Sequence, residues 1–518
     1  MQQESAYRQS CYTTTSCSWF ENLDSRLDPV KDELQFLPDE TASARFRIKS
    51  LASEHVLKRL EGKLIDNSSI LFSGGPVWAL SWVPQPRPNS SQYLSLCSHR
   101  SHDQTMYKEQ KSEPGMIQIW SVKVDKSQAL CSDPELMLGI AHNFGKVWCL
   151  EWCPSGLWKE KVTLGGVAAA CSDGTVRIFK VKFPRKTCRF LRPKKVMTLL
   201  AGSLQQGVCI SLSWYRGPGH KFIAASFMSG LIAVWDITST SALLCTKDGI
   251  LPIASWYAHS SSATGVSFAS DLTEFPKYCV TGGTDRTYRF WDLRDTTNPF
   301  QEVKRGMVTA VSWLPGHAAA SVSHDDVFLQ AHTQTLVTEN GFHRAGSQPV
   351  VGQNSCVWDE SVSMWLGGMA VCTSAGELAV YMLPDATRPV DQNRASGRRR
   401  AYVYLTKLIP ENLEESIESY KHSKDQCCLD FYDLWEQDGL TAADKEIAEK
   451  VRYSEKMESE NLSRYPLSSV NRVDWNPNLD ACFLIASGGQ SGLVRIHSLT
   501  SLNSDSLKVA ALDASQKF

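Results

Sequence analysis

Along this chain, apolar and polar positions alternate in a phrase that keeps returning. One form of it is rich in Trp: GPVWALSW (75–82), GKVWCLEWCP (145–154), VCISLSWY (208–215), ATGVSFAS (263–270), GMVTAVSWLPG (306–316), NSCVWDE (354–360) and SVNRVDWNP (469–477). Each is followed by a second form, in which a small-residue run, a polar turn and an apolar run succeed one another. These are SEPGMIQIW (112–120), ACSDGTVRIF (170–179), ASFMSGLIAVWDI (225–237), VTGGTDRTYRFWDL (280–293), the weaker SVSHDDVFLQA (321–331), CTSAGELAVY (372–381) and SGGQSGLVRIHSL (487–499). A period of two is the period at which strand side chains change face, and Gly in the turns accepts a positive φ, so the phrases predict β-hairpins.

Seven paired units, each with the ingredients of a four-stranded antiparallel sheet, predict an all-β fold: a seven-bladed β-propeller whose closure protects its strand edges. The units run 71–125, 140–183, 204–240, 256–296, 303–338, 350–410 and 468–500. In domain terms, 1–70 is an N-terminal accessory segment, helical by its apolar spacing over LASEHVLKRLEGKL (51–64). Residues 71–410 carry blades one to six, with GRRRAYVYLTKLIP completing the sixth. An acidic insertion, partly helical or disordered, fills 411–467, 468–500 is the closing blade, and 501–518 is a flexible tail. Small residues in VAAACSD and IAASFMS are expected near the central channel, with Trp and Phe filling the wider gaps outside. On that basis Trp78, Trp120, Trp148, Trp235 and Trp291 are core side chains and not stacking platforms for bases.

Charge alters the picture locally. The net charge of −1 hides three biased regions. KVKFPRKTCRFLRPKK (180–195) holds eight Lys or Arg and no acid, RASGRRR (394–400) holds four Arg, and 411–467 holds 15 acidic against 7 basic residues. The basic stretches nominate Lys180, Lys182, Arg185, Lys186, Arg189, Arg192, Lys194, Lys195, Arg398, Arg399 and Arg400 as contacts for nucleic-acid phosphates, since clustered cations release counterions on binding a polyanion. The plain alternative is a solvated inter-blade loop. Base-specific reading is not expected, because nothing resembles a recognition helix.

Catalytic chemistry finds no foothold. The chain has no GxxxxGK[ST] loop, no HExxH and no GxSxG, so no catalytic or metal site and no cofactor is expected. His324 and His332 bracket an apolar strand, Cys149 and Cys153 have strand spacing, and adjacent Cys427 and Cys428 cannot easily clamp one metal. The 16 Cys are irregularly spaced and the N-terminus lacks the apolar core of a signal peptide, which together suggest a reducing compartment. No run approaches the roughly 18 apolar residues that span a bilayer, so neither a membrane nor a small-molecule substrate is expected as a partner.

Taken in order, GKVWCLEWCPSGLW, GVAAACSDGTVRIF, TGGTDRTYRFWDLRD, SAGELAVYMLPD and WNPNLDACFLIASGGQSGLVRIH resemble the WD-repeat beta subunits of TFIIIC, the assembly factor of RNA polymerase III. The resemblance covers about 70–500. It implies a nuclear, non-enzymatic subunit that works with the large DNA-binding subunit and other TFIIIC subunits, in the half of the complex recognising the B-box promoter of tRNA genes. Promoter DNA would be met indirectly or through phosphates. Two other readings stand beside it: a generic WD-repeat adaptor for chromatin or ubiquitin machinery, and an enzyme with inward His and carboxylate groups at one mouth of the channel, against which the small, apolar repeat strands argue.

Overall fold

The computed structural model describes residues 17–501 except 25, 49–52, 67, 87–88, 103–112, 156, 185–189, 203–206, 305, 316–318, 326–331, 337–346, 352–354, 383–399, 411–418 and 434–464. Each Trp-rich phrase begins a sheet. The first sheet runs Val77–Trp82, Ser91–Ser98, Gly115–Lys123, Glu135–His142; the second Val147–Trp152, Thr163–Cys171, Thr175–Lys182, Met197–Leu200. The third is Cys209–Trp214, Phe222–Phe227, Leu231–Asp236, Ala254–Tyr257, and the fourth Ala263–Phe268, Tyr278–Gly283, Thr287–Asp292, Gln301–Lys304. Val308–Trp313, Ala319–His324, His332–Leu336 and Ser347–Val351 make the fifth, and Val357–Val362, Gly368–Thr373, Glu377–Met382 and Arg400–Pro410 open the sixth. Val470–Trp475, Leu484–Gly489 and Leu493–Ser498 begin the seventh.

These sheets form a ring, because the first strand of each packs on the first strand of the next and that of the seventh returns to the first. The molecule is therefore a β-propeller. Every one of the seven first strands carries the same register shift against its second strand, at Val77/Ala79, Val147/Cys149, Cys209/Ser211, Ala263/Gly265, Val308/Ala310, Val357/Asp359 and Val470/Arg472. A bulge bends a strand and re-aims a side chain. At three of these bulges Trp78, Trp148 and Trp358 converge, with ring centroids 5.6 and 5.7 Å from Trp78. Trp148 there is buried, as are Trp120, Trp235 and Trp291 within the sheets' packing, whereas Trp78 is half-buried.

It is thus the Trp-bearing first strands that line the channel, and the small-residue strands such as Thr163–Cys171 and Phe222–Phe227 lie one place farther out, wholly buried between sheets. That reverses the expected arrangement. Ala and Ser are needed there because each face of the second strand meets a neighbouring sheet and space is short.

The N-terminal region also differs from expectation. No helix forms among the described residues of 51–64; Glu54–His55 and Gly62–Ile65 are strands, and Leu60 turns the chain with a φ of 65°. Ser68–Phe72 is the fourth strand of the seventh sheet, antiparallel to Leu493–Ser498 from Leu493 opposite Phe72 to His497 opposite Ser68. The ring is closed by pairing the two ends of the propeller, and the accessory segment is part of that closure. Arg45–Ile48 runs parallel to Cys427–Asp433, which extends the sixth sheet beyond Arg400–Pro410. Within the acidic insertion the described residues are 419–433, which hold the helix Tyr420–Gln426 and this strand, and 465–467; 411–418, 434–464 and the tail from 502 lie outside the described residues.

Candidate functional site

The basic tract is built into two sheets. Lys180 and Lys182 end the third strand of the second sheet, after which Phe190–Pro193 pairs in parallel with Glu135–His142 at the rim of the first. Leu27–Pro29 then pairs antiparallel with Phe190–Pro193, setting Asp28 opposite Arg192. Phe190 is placed by packing, since a Cβ on Gly139 would lie 2.6 Å from its ring. Phe183 packs on Tyr93 and Trp158, with centroids 5.7 and 5.1 Å away. Part of the tract is therefore a structural cross-link between neighbouring sheets.

The nominated cations separate into groups. Arg192, Lys194 and Lys195 are exposed together along the rim between the first and second sheets. Lys182 is half-buried. Lys180 turns inward: its Nζ donates to the Phe20 carbonyl at 3.3 Å and sits 4.3 Å from the Phe20 ring centroid, and burial lowers its pKa. Arg400 starts a strand of the sixth sheet. Arg185, Lys186, Arg189, Arg398 and Arg399 lie outside the described residues.

The channel holds a second arrangement, contrary to what the small, apolar repeat strands lead one to expect. In the first strands, the residue before the last aromatic or apolar position is Ser81, Glu151, Ser213, Ser267, Ser312, Ser361 or Asp474, and all seven line one cavity of about 280 Å³. Five of these side chains bond a backbone N–H on the next sheet. The backbone N–H groups of Phe268, Trp313 and Trp475 donate to Ser213, Ser267 and Ser361 Oγ at 3.0, 2.9 and 2.9 Å, and that of Trp82 to Asp474 Oδ2 at 2.9 Å. Trp214 makes the equivalent backbone bond to Glu151.

These contacts satisfy buried backbone donors between sheets, each worth about 1 kcal/mol net. Burial pushes the carboxyls of Glu151 and Asp474 up to about 7 and that of Glu360 up to about 8. Glu360 accepts from Ser321 and Ser323 Oγ at 3.0 and 2.7 Å, and Arg472 lies 3.4 Å from Asp359. Inward carboxylates are thus present, but the cavity lining contains no His. The legible signal was Glu151 and Asp474 standing where other repeats place Ser before the Trp.

In the fourth sheet a polar network joins two strands, the turn between them and the loop that precedes the sheet. Trp291 Nε1 donates to Thr281 Oγ1 at 2.9 Å, His259 Nε2 lies 2.9 Å from the same oxygen, and His259 Nδ1 is 3.0 Å from Asp285 Oδ1. The WD domain, G-beta repeat family model matches residues 136–180 and 251–292, and the second of these spans that network.

Among curated proteins, General transcription factor 3C polypeptide 2 of Homo sapiens is 29% identical over 486 residues, covering 84% of this chain and 53% of the relative. Transcription factor tau subunit sfc6 of Schizosaccharomyces pombe is 22% identical over 439 residues, covering 84% of this chain and 65% of the relative. WD repeat and SOCS box-containing protein 1 of Xenopus tropicalis is 28% identical over 105 residues, 20% of this chain and 22% of the relative. The chain spans about half the length of the human relative it matches. With its repeated bulged strands and its Trp–Thr–His–Asp network, the chain is a β-propeller that carries WD repeats and is similar along most of its length to General transcription factor 3C polypeptide 2 and Transcription factor tau subunit sfc6.

Proposed function

We propose that this chain is a non-catalytic, nuclear scaffold subunit of TFIIIC, supporting B-box recognition and RNA polymerase III transcription of tRNA and other small RNA genes. The observation that carries this reading is similarity to two transcription-factor subunits along 84% of the chain, well beyond any one repeat. A ring of sheets tied by inter-sheet hydrogen bonds supports it physically, because it presents loops on rigid faces without moving. Partner subunits, the large DNA-binding subunit foremost, dock on those faces, and the cations of the basic tract add an electrostatic hold on promoter phosphates.

The competing reading is a WD-repeat adaptor of a chromatin or ubiquitin complex that touches no DNA. Isolation of the tagged full chain from nuclear extract separates the two by the proteins that accompany it. The scaffold reading expects other TFIIIC subunits and enrichment at tRNA genes; a histone modifier or a ubiquitin ligase in their place would overturn it.

A further inference from the structure

We propose that the segment 17–29 is a built-in occupant of the basic rim, which takes up Lys180, sets its carboxylates beside Arg192 and Lys195, and competes there with polyanions. This rests on the phosphate-contact reading above and adds its regulation.

The segment has two parts with different holds on the ring. Its start is an apolar plug. Trp19 and Phe20 are 6% and 5% exposed, Trp19 Nε1 donates to the Gly219 carbonyl at 3.0 Å, and the Trp19 ring lies 5.8 Å from that of Trp214. Phe20 fits where a Cβ on Gly166 would come within 3.1 Å of it. The plug therefore sits on the second and third sheets whatever the salt concentration.

From this anchor the chain runs along the rim as a polar strip. Residues 17–32 contain Glu21, Asp24, Asp28 and Asp32 against Arg26 and Lys31. The Phe20 carbonyl and ring take up the Lys180 ammonium. Asp28 lies across from Arg192 in the antiparallel pair, and the Lys194 backbone N–H donates to the Arg26 carbonyl at 3.0 Å. Arg26, 2.7 Å from the Asp24 carboxylate, is the main cause that holds that carboxyl low; Lys195, which lines the same surface cleft, adds a smaller part. A phosphate approaching Arg192 or Lys195 meets the field of two carboxylates already in place.

The strip is also built to leave. Leu27–Pro29 is three residues long, mostly exposed and outermost in its sheet, so its release uncovers little beyond the partly buried Leu27, which packs on the core between the first and second sheets. Its carboxylate contacts are at the surface and weaken with salt, while the plug keeps the segment tethered. A polyanion can thus take the cations from the strip without unfolding the ring.

The test uses the full chain and a random-sequence DNA duplex, with affinity measured across a salt series. Asp24→Asn with Asp28→Asn is expected to tighten binding roughly three- to tenfold at low salt and to steepen its salt dependence. Arg192→Ala with Lys194→Ala and Lys195→Ala is expected to weaken binding and flatten the slope of log K on log salt by about two to three. Asp295→Asn with Glu274→Gln makes the same change in net charge at exposed positions of the fourth sheet and is expected to leave affinity unchanged. If the lysine and arginine variant weakens binding but the Asp24/Asp28 variant behaves as wild type, or the remote pair tightens binding equally, the occupant role is overturned and phosphate contact stands. If the lysine and arginine variant changes nothing, phosphate contact itself falls.

Discussion

At Gly492 two requirements meet in one residue. Its φ of +80° lies in the left-handed region, and a Cβ there would come 2.8 Å from the Gly75 carbonyl oxygen and 3.0 Å from the Phe72 ring. Its own carbonyl accepts from Ser73 N and Ser73 Oγ at 3.0 and 2.9 Å, so the turn is held against the N-terminal strand. Gly492→Val is expected to lower stability by about 3 kcal/mol, combining backbone strain with a displaced neighbour, and Gly492→Ala by less. Chemical denaturation measures it, and an unchanged midpoint for the Val variant would remove the turn's role in closure. SGGQSGL announced this turn by its residue types alone. Three residues on, Arg495 gave no such sign: it is 1% exposed, lies 4.6 and 4.4 Å from the Tyr404 and Phe431 ring centroids, and bonds Asp433 at 3.1 Å. Its partners stand on the sixth sheet, Phe431 and Asp433 within the acidic insertion itself, and a period-two pattern says which face a residue takes but not what waits there.

The strand Ser68–Phe72 shows the same limit for a whole element. Every residue in it is buried, and Leu71 and Ile70 pair with Val494 and Arg495. The sequence carried the apolar run SSILF, yet nothing local says that its partner strand lies more than 400 residues later in the chain. Just before it, LEGKL kept helical spacing, but strand pairing of Gly62–Ile65 with Ser68–Phe72 outweighed that weak preference. Starting the chain at residue 73 would leave Leu493–Ser498 as an open edge with its hydrogen-bonding groups unpaired. Such a chain is expected to melt at least about 5 °C lower and to self-associate, as read by thermal unfolding and size-exclusion chromatography. A monomeric truncated chain of undiminished melting temperature would show that the hairpin of the seventh sheet closes the ring unaided.

For the whole molecule, the repeats made the ring legible, while the electrostatics of its channel depend on a convergence of sheets that no single repeat encodes. Burial drives two sets of groups in opposite directions. His99 and His142 are lowered to about 3 and His220 to about 4, chiefly by desolvation of the imidazolium. These histidines bind fewer protons in the folded chain, so stability rises with pH from about 3 to about 6.5, where the unfolded side chains have lost theirs. Glu151 and Asp474 at about 7 and Glu360 at about 8 do the reverse, because the folded state holds protons that unfolded carboxyls release near pH 4. Their stabilising protonation is lost as pH climbs through the folded values, which charges the channel wall away from bulk water. Across the middle of the range the two sets oppose one another; above about 6.5 only the carboxyls still titrate. Stability is therefore expected to fall between about pH 6.5 and 8.5, by up to about 1.4 kcal/mol per pH unit for each carboxyl then titrating. Glu360→Gln, which keeps a group able to meet Ser321 and Ser323, should make that fall shallower at its alkaline end. Denaturant titrations of both proteins at pH 6.5, 7.5 and 8.5 measure the difference, and a stability that stays level or rises over this interval would mean that the inward carboxyls are charged at neutral pH and solvated through the channel.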